Sequence, residues 1–100
     1  MGWATNHISA LKAGQTVAFR PRGASMSGKI ESGQLCTLSP IQPESIEAGQ
    51  IVLCTVKGRQ FLHLVSAVRG KQYQISNAKG HINGWVTSKQ IYGRVTKIEP

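Results

Sequence analysis

The stretch GQIVLCTVKGRQFLHLVSAVRGKQYQISN, residues 49–77, decides the fold. Its apolar residues recur with a period of two and are rich in Val, Ile and Leu, the pattern of strands that bury at least one face. It breaks at Lys57-Gly58-Arg59 and at Arg69-Gly70-Lys71, where tight turns fit. The stretch therefore predicts a meander of antiparallel hairpins over 50–57, 59–69 and 71–77. Along the middle strand, alternation puts Phe61, His63 and Val65 on one face and Leu62 and Leu64 on the other.

Outward from the meander, the same period returns in QTVAFRP (15–21), GQLCTLSP (33–40) and QIYGRVTKI (90–98), which makes six strand candidates. Asn83-Gly84 reads as a further turn, and Pro40 and Pro43 bracket the loop SPIQPESIEAG. Ahead of the first strand, TNHISALKAG offers Thr5 or Asn6 as an N-cap, Ile8 and Leu11 three apart, and Gly14 as a left-handed stop. One short N-terminal helix is expected there. The expected fold is mostly β, a small coiled or barrel-like antiparallel sheet, because small β proteins protect their edges by closing or coiling the sheet. No linker interrupts the pattern, so residues 1–100 read as a single domain.

Composition bounds what such a domain does. A chain of 100 residues supports one small core. No apolar run approaches the roughly 20 residues that span a bilayer. The start, MGWATNHISALKAGQ, lacks the basic, apolar and small-residue parts of a signal peptide, so a cytoplasmic protein without membrane association is expected. Cys36 and Cys54 lie in the apolar runs QLCTL and IVLCTV with no CxxC spacing, which reads as buried, reduced thiols. His7 and His81 share no ligand spacing with each other or with the cysteines, so neither a metal nor another cofactor is expected. Twelve Lys and Arg stand against four Glu and no Asp, a net charge of +8. That imbalance attracts anionic partners, but the cations are scattered from Lys12 to Lys97 and support only weak, non-specific nucleic-acid binding.

The candidate chemistry lies in RGASMSGKIESGQ (22–34), where three serines and three glycines separate two strands. A serine on a tight, glycine-flanked turn can present its hydroxyl and neighbouring backbone N–H groups at one point, as acyl transfer requires. Taken alone, the stretch also fits an ordinary Gly/Ser loop, and His63 a structural histidine on a sheet face.

In order and spacing, GASM, IESGQLCTL, IEAGQIVLCTV, FLHLVSAV, YQISN and IYGRVTKI resemble the peptidase domain shared by LexA-type repressors, UmuD-type proteins and type I signal peptidases. The resemblance covers residues 16–98. It implies Ser25 as nucleophile, with Ala24 and Met26 beside it against the substrate. It also implies His63 as general base, at a position where most bacterial members carry lysine. Here the pair resembles the Ser-His arrangement of eukaryotic and archaeal signal peptidases. Imidazole, with a reference pKa of ~6.5, can take the serine proton near neutral pH. The implied partner is an extended peptide or protein substrate paired with a sheet edge, its oxyanion held by backbone N–H groups of the Ser25–Met26 turn.

The chain also departs from the family. Gln34 and Gln50 stand where aspartate is usual, and no carboxylate is in place to orient His63; Asn77 is the nearest polar residue in that region. No proline follows Met26, and residues 1–15 are expected to supply neither a membrane anchor nor a helix-turn-helix domain. The resemblance thus implies a stand-alone catalytic module of the kind a phage or mobile element carries. The departures keep a second reading open: a catalytically inactive relative that binds nucleic acid or an acidic protein partner through its basic surface. Ser27 is the hydroxyl to consider if the register shifts, and Lys29 and Lys57 read as solvated charges. Trp85 reads as a core or rim aromatic that, beside Lys79 and His81, could also stack on a base or a peptide.

Overall fold

A computed structural model describes residues 2–100. The chain runs α1 (Thr5–Lys12), β1 (Val17–Phe19), β2 (Leu35–Pro40), β3 (Ile51–Val56), β4 (Arg59–Arg69), β5 (Gln72–Ser76), β6 (Ile82–Val86) and β7 (Ile91–Glu99). All pairings are antiparallel, in the sheet order β1-β2-β7-β3-β4-β5-β6. The mostly β architecture with one short helix, expected from the periodicity, is present.

The meander forms where the turn chemistry places it. Lys57 and Gly58 both have positive φ, +52° and +80°, the primed turn whose twist matches that of its flanking strands. β3 lies between β4 and β7 and is buried on both sides. Leu53 joins one core cluster with Leu62, Leu38 and the helix residues Ile8 and Leu11. Val52, Cys54 and Val56 join the other with Val65, Tyr73 and Ile75. The alternation read along β4 is thereby realised, with Leu62 and Leu64 on the first cluster and Phe61 and Val65 on the second.

Two local expectations are corrected. Asn83-Gly84 is not a turn but the middle of β6, a seventh strand paired with β5. Coiling of the sheet brings β6 against β3, and a Cβ on Gly84 would meet Val56 Cγ1 at 3.2 Å. Gly84 also has φ +150°, so glycine here answers a close approach within a strand. The helix cap is the other correction. Ala4 occupies the N-cap with no side-chain bond, and Thr5 Oγ1 instead accepts from Gly2 N–H at 3.2 Å. Gly14 does adopt the left-handed conformation, φ +86°, and Gln15 N–H bonds back to Ala10 O at 2.9 Å.

Gln34 and Gln50 keep the turns ahead of β2 and β3 closed. Gln34 Oε1 accepts Glu31 N–H at 2.7 Å and Gln50 Oε1 accepts Glu47 N–H at 2.9 Å. Each turn enters its strand through a glycine with positive φ, +87° at Gly33 and +98° at Gly49. An amide oxygen accepts such a bond as a carboxylate does but carries no charge, so both turns are closed by neutral side chains.

Candidate active site

β4 is long enough to have different partners along its length. β3 pairs with it from Arg59 to Leu64, whereas β5 joins only from Leu64 onward. On the β5 side, Arg59 to His63 face no strand among the described residues. His63 closes this open segment, 7% exposed, its ring 4.7 Å from that of Phe61.

The turn after β1 brings Ser25 to the histidine. Met26 and Ile30, on either side of Ser27–Lys29, are buried in the first core cluster and anchor the turn from below. Ala78 N–H donates to Ser25 O at 3.0 Å and ties the turn to the β5–β6 connection. Ser25 itself is exposed, and its Oγ lies 3.2 Å from His63 Nε2. On the far side of the ring, Asn83 Oδ1 lies 2.7 Å from His63 Nδ1. An amide oxygen can only accept, so Nδ1 carries the proton, Nε2 is left with a free lone pair, and Ser25 Oγ–H donates to it. Burial lowers the His63 pKa below its ordinary value; the bond to Asn83 pulls it up in part, and nearby His81 pushes it down again. The imidazole is neutral at pH 7 and able to take a proton.

Asn77 does not fill the orienting position. Its Oδ1 accepts the N–H groups of Lys79 and His81, both at 2.9 Å, and so shapes the loop that leads into β6. The orienting residue, Asn83, is concealed in the sequence by the turn-like Asn-Gly pair. Its position follows only from β6 pairing with β5, which itself pairs with β4.

Beside Ser25 opens a cleft of about 450 Å³. Buried Met26, Ile30 and Leu62 line it, with Phe19 and the open β4 segment Gln60–His63. The N-terminal segment supplies one wall. Gln60 Oε1 accepts Ala4 N–H at 2.7 Å, Trp3 Nε1–H reaches Gln60 O at 3.4 Å, and His7 stacks on Phe19 at 4.4 Å between ring centroids. Nothing in the sequence pattern pointed to Trp3, Phe19 or Gln60 as cleft residues. Ala24 is exposed and does not line the cleft, whereas Met26 does. Ser27 is half-buried and Lys29 and Lys57 are exposed. Trp85 is a rim aromatic, covered by the Arg69 guanidinium 4.5 Å from its ring. Cys36 and Cys54 are buried and unpaired.

No protein-family model matches this sequence, and none of the curated proteins compared with it matches.

Proposed function

We propose that the chain is a small serine peptidase of the LexA and signal peptidase type, cleaving an extended peptide with Ser25 as nucleophile and His63 as general base. One observation carries the reading: the hydrogen-bonded series Ser25 Oγ, His63 Nε2, His63 Nδ1, Asn83 Oδ1, with separations of 3.2 and 2.7 Å. It supplies a hydroxyl, a base within reach of it, and a third group that sets the tautomer of the base.

In this reading the substrate strand lies along the open segment of β4, which offers backbone groups for pairing. Ser25 Oγ attacks the scissile carbonyl carbon as its proton passes to His63 Nε2. The oxygen gains negative charge, and the backbone N–H groups of Ser25 and Met26, which bond to no acceptor among the described residues, are the candidate donors to it. His63 then gives its proton to the leaving amine, leaving an acyl-serine. The same imidazole activates a water to hydrolyse that ester. Asn83 orients the ring but bears no charge, so it stabilises the imidazolium less than a carboxylate would, and a modest rate is expected. Ser25→Ala should leave folding intact and remove hydrolysis of an extended peptide; unchanged hydrolysis ends the proposal.

A second reading, a non-catalytic binding module for nucleic acid or an acidic protein, is favoured by the charge distribution. Of twelve Lys and Arg, only Lys97 forms an ion pair among the described residues, with Glu99 at 2.9 Å. Oligonucleotide affinity that falls steeply with salt, together with no hydrolysis, would favour this reading. No helix among the described residues is long and apolar enough to cross a membrane.

A further inference from the structure

We infer that the cleft beside Ser25 selects a peptide that sets carboxylates beside a bulky apolar residue, an inference that rests on reading the site as one that holds a peptide. The interior of the cleft is apolar, built from Phe19, Met26, Ile30 and Leu62, and Trp3 stands at its wall 54% exposed. Its volume, about 450 Å³, lies in the range that encloses a ligand of several side chains. An apolar side chain is the group such a lining desolvates at least cost.

The rim has the opposite character. Arg20 and Arg22 line the cleft, and Arg59 lies over the ring of cleft residue Phe61, 5.6 Å from its centroid. None of the three forms an ion pair among the described residues. Arg20 spends one N–H on Gly33 O, at 2.8 Å, and keeps its other donors free. The one acid in the cleft, Glu31, is already engaged through Oε2 with Gly28 N–H at 2.7 Å. Arginines that outnumber the single, hydrogen-bonded carboxylate around an apolar centre complement an apolar residue flanked by Glu or Asp. A nucleic acid satisfies less of this site, because it has no amide groups to pair with the open edge of β4 and no aliphatic side chain for the interior.

The test uses the full chain as Ser25→Ala, which prevents turnover, combined with Trp85→Phe. Trp3 is then the only indole, since the sequence has two tryptophans, and its emission reports on the cleft. Two matched extended peptides are titrated, each with a central Leu, one flanked by Glu and one by Gln. The Glu peptide should bind about fivefold more tightly per engaged carboxylate at low salt, the range of a solvent-exposed ion pair, and the advantage should shrink as salt rises. Adding Arg22→Gln should cut the advantage without loss of fold. Equal affinities, no binding of either peptide, or an advantage indifferent to both Arg22→Gln and Arg20→Gln overturns the inference. So does an oligonucleotide of equal charge that displaces the Glu peptide at matching concentration. Hydrolysis by the unsubstituted chain separates the two readings. A Glu preference in binding with neither peptide cleaved keeps this inference and removes the peptidase, whereas equal cleavage of both does the reverse.

Discussion

Cys54 and Ser25 place the two kinds of nucleophile of this chain in opposite surroundings. Cys54 lies on β3, fully buried, and loss of hydration pushes its thiol up to about 12. Ser25 stands on an exposed turn with its hydroxyl 3.2 Å from a neutral imidazole. A thiol is intrinsically the better nucleophile, yet here it has neither a base nor access, and it serves as a small apolar side chain between strands. The difference shows that position in the sheet, more than residue type, decides which group has a base and access to solvent. β3 is covered on both faces, whereas the turn after β1 meets β4 at the segment β5 leaves open.

The contrast can be broken most decisively at the base. His63→Gln should lower kcat/KM for an extended peptide by about 10³-fold while the thermal midpoint changes little, and a thiol-alkylating reagent should leave the unsubstituted protein fully active. Thiol modification that stops hydrolysis would reverse the assignment of the two nucleophiles. A smaller effect is expected at Asn83. Asn83→Ala should cost about 10- to 100-fold in kcat/KM with KM nearly constant, because the ring loses its tautomer and orientation and not a substrate contact. Asn83→Asp should restore the rate and move the acid limb of the pH profile upward, since a carboxylate favours the imidazolium; a limb that stays in place would show that residue 83 is only structural.

Cys54→Ser should sharpen the comparison from the other side. A buried hydroxyl in place of the thiol, with Phe61 O as its only near acceptor at 3.6 Å, should destabilise the fold by roughly 1–2 kcal/mol and leave the rate per folded molecule unchanged. The smallest effect concerns pH. The folded His63 pKa lies below its ordinary value, so the unfolded chain binds this proton more readily. His63 therefore contributes stability that is present above pH ~6.5 and lost as pH falls through the folded pKa. Hydrolysis should fall through the same window, because only neutral His63 accepts the serine proton. Denaturant midpoints and rates measured from pH 8 to pH 5 check both; an acid limb above pH 7 would contradict the burial of the ring.

The parts of the site differ in how legible they were. Ser25 and His63 were readable because each lies in a local pattern, a glycine-flanked serine turn and an alternating strand, whose likeness to a known arrangement could be read in order along the chain. Asn83 was not, because Asn-Gly is the strongest local signal for a turn, and only pairing with β5 makes it part of a strand. Its bond to His63 spans 20 residues and that of Ser25 spans 38. The aromatic wall was hidden for a similar reason, since Trp3 meets Gln60 across 57 residues.

Alternation of apolar residues, turn glycines and the left-handed stop at Gly14 operate over two to five residues, and the chain carries them wherever it folds. They determined the meander, both faces of β4, the short helix and the burial of the cysteines. The coiling of the sheet is different, because it is the sum of many weak packing terms between distant segments. Only that sum decided that β5 leaves β4 at Leu64, that β6 turns Asn83 toward the imidazole, and that the helix sets His7 at the wall of the cleft beside Ser25.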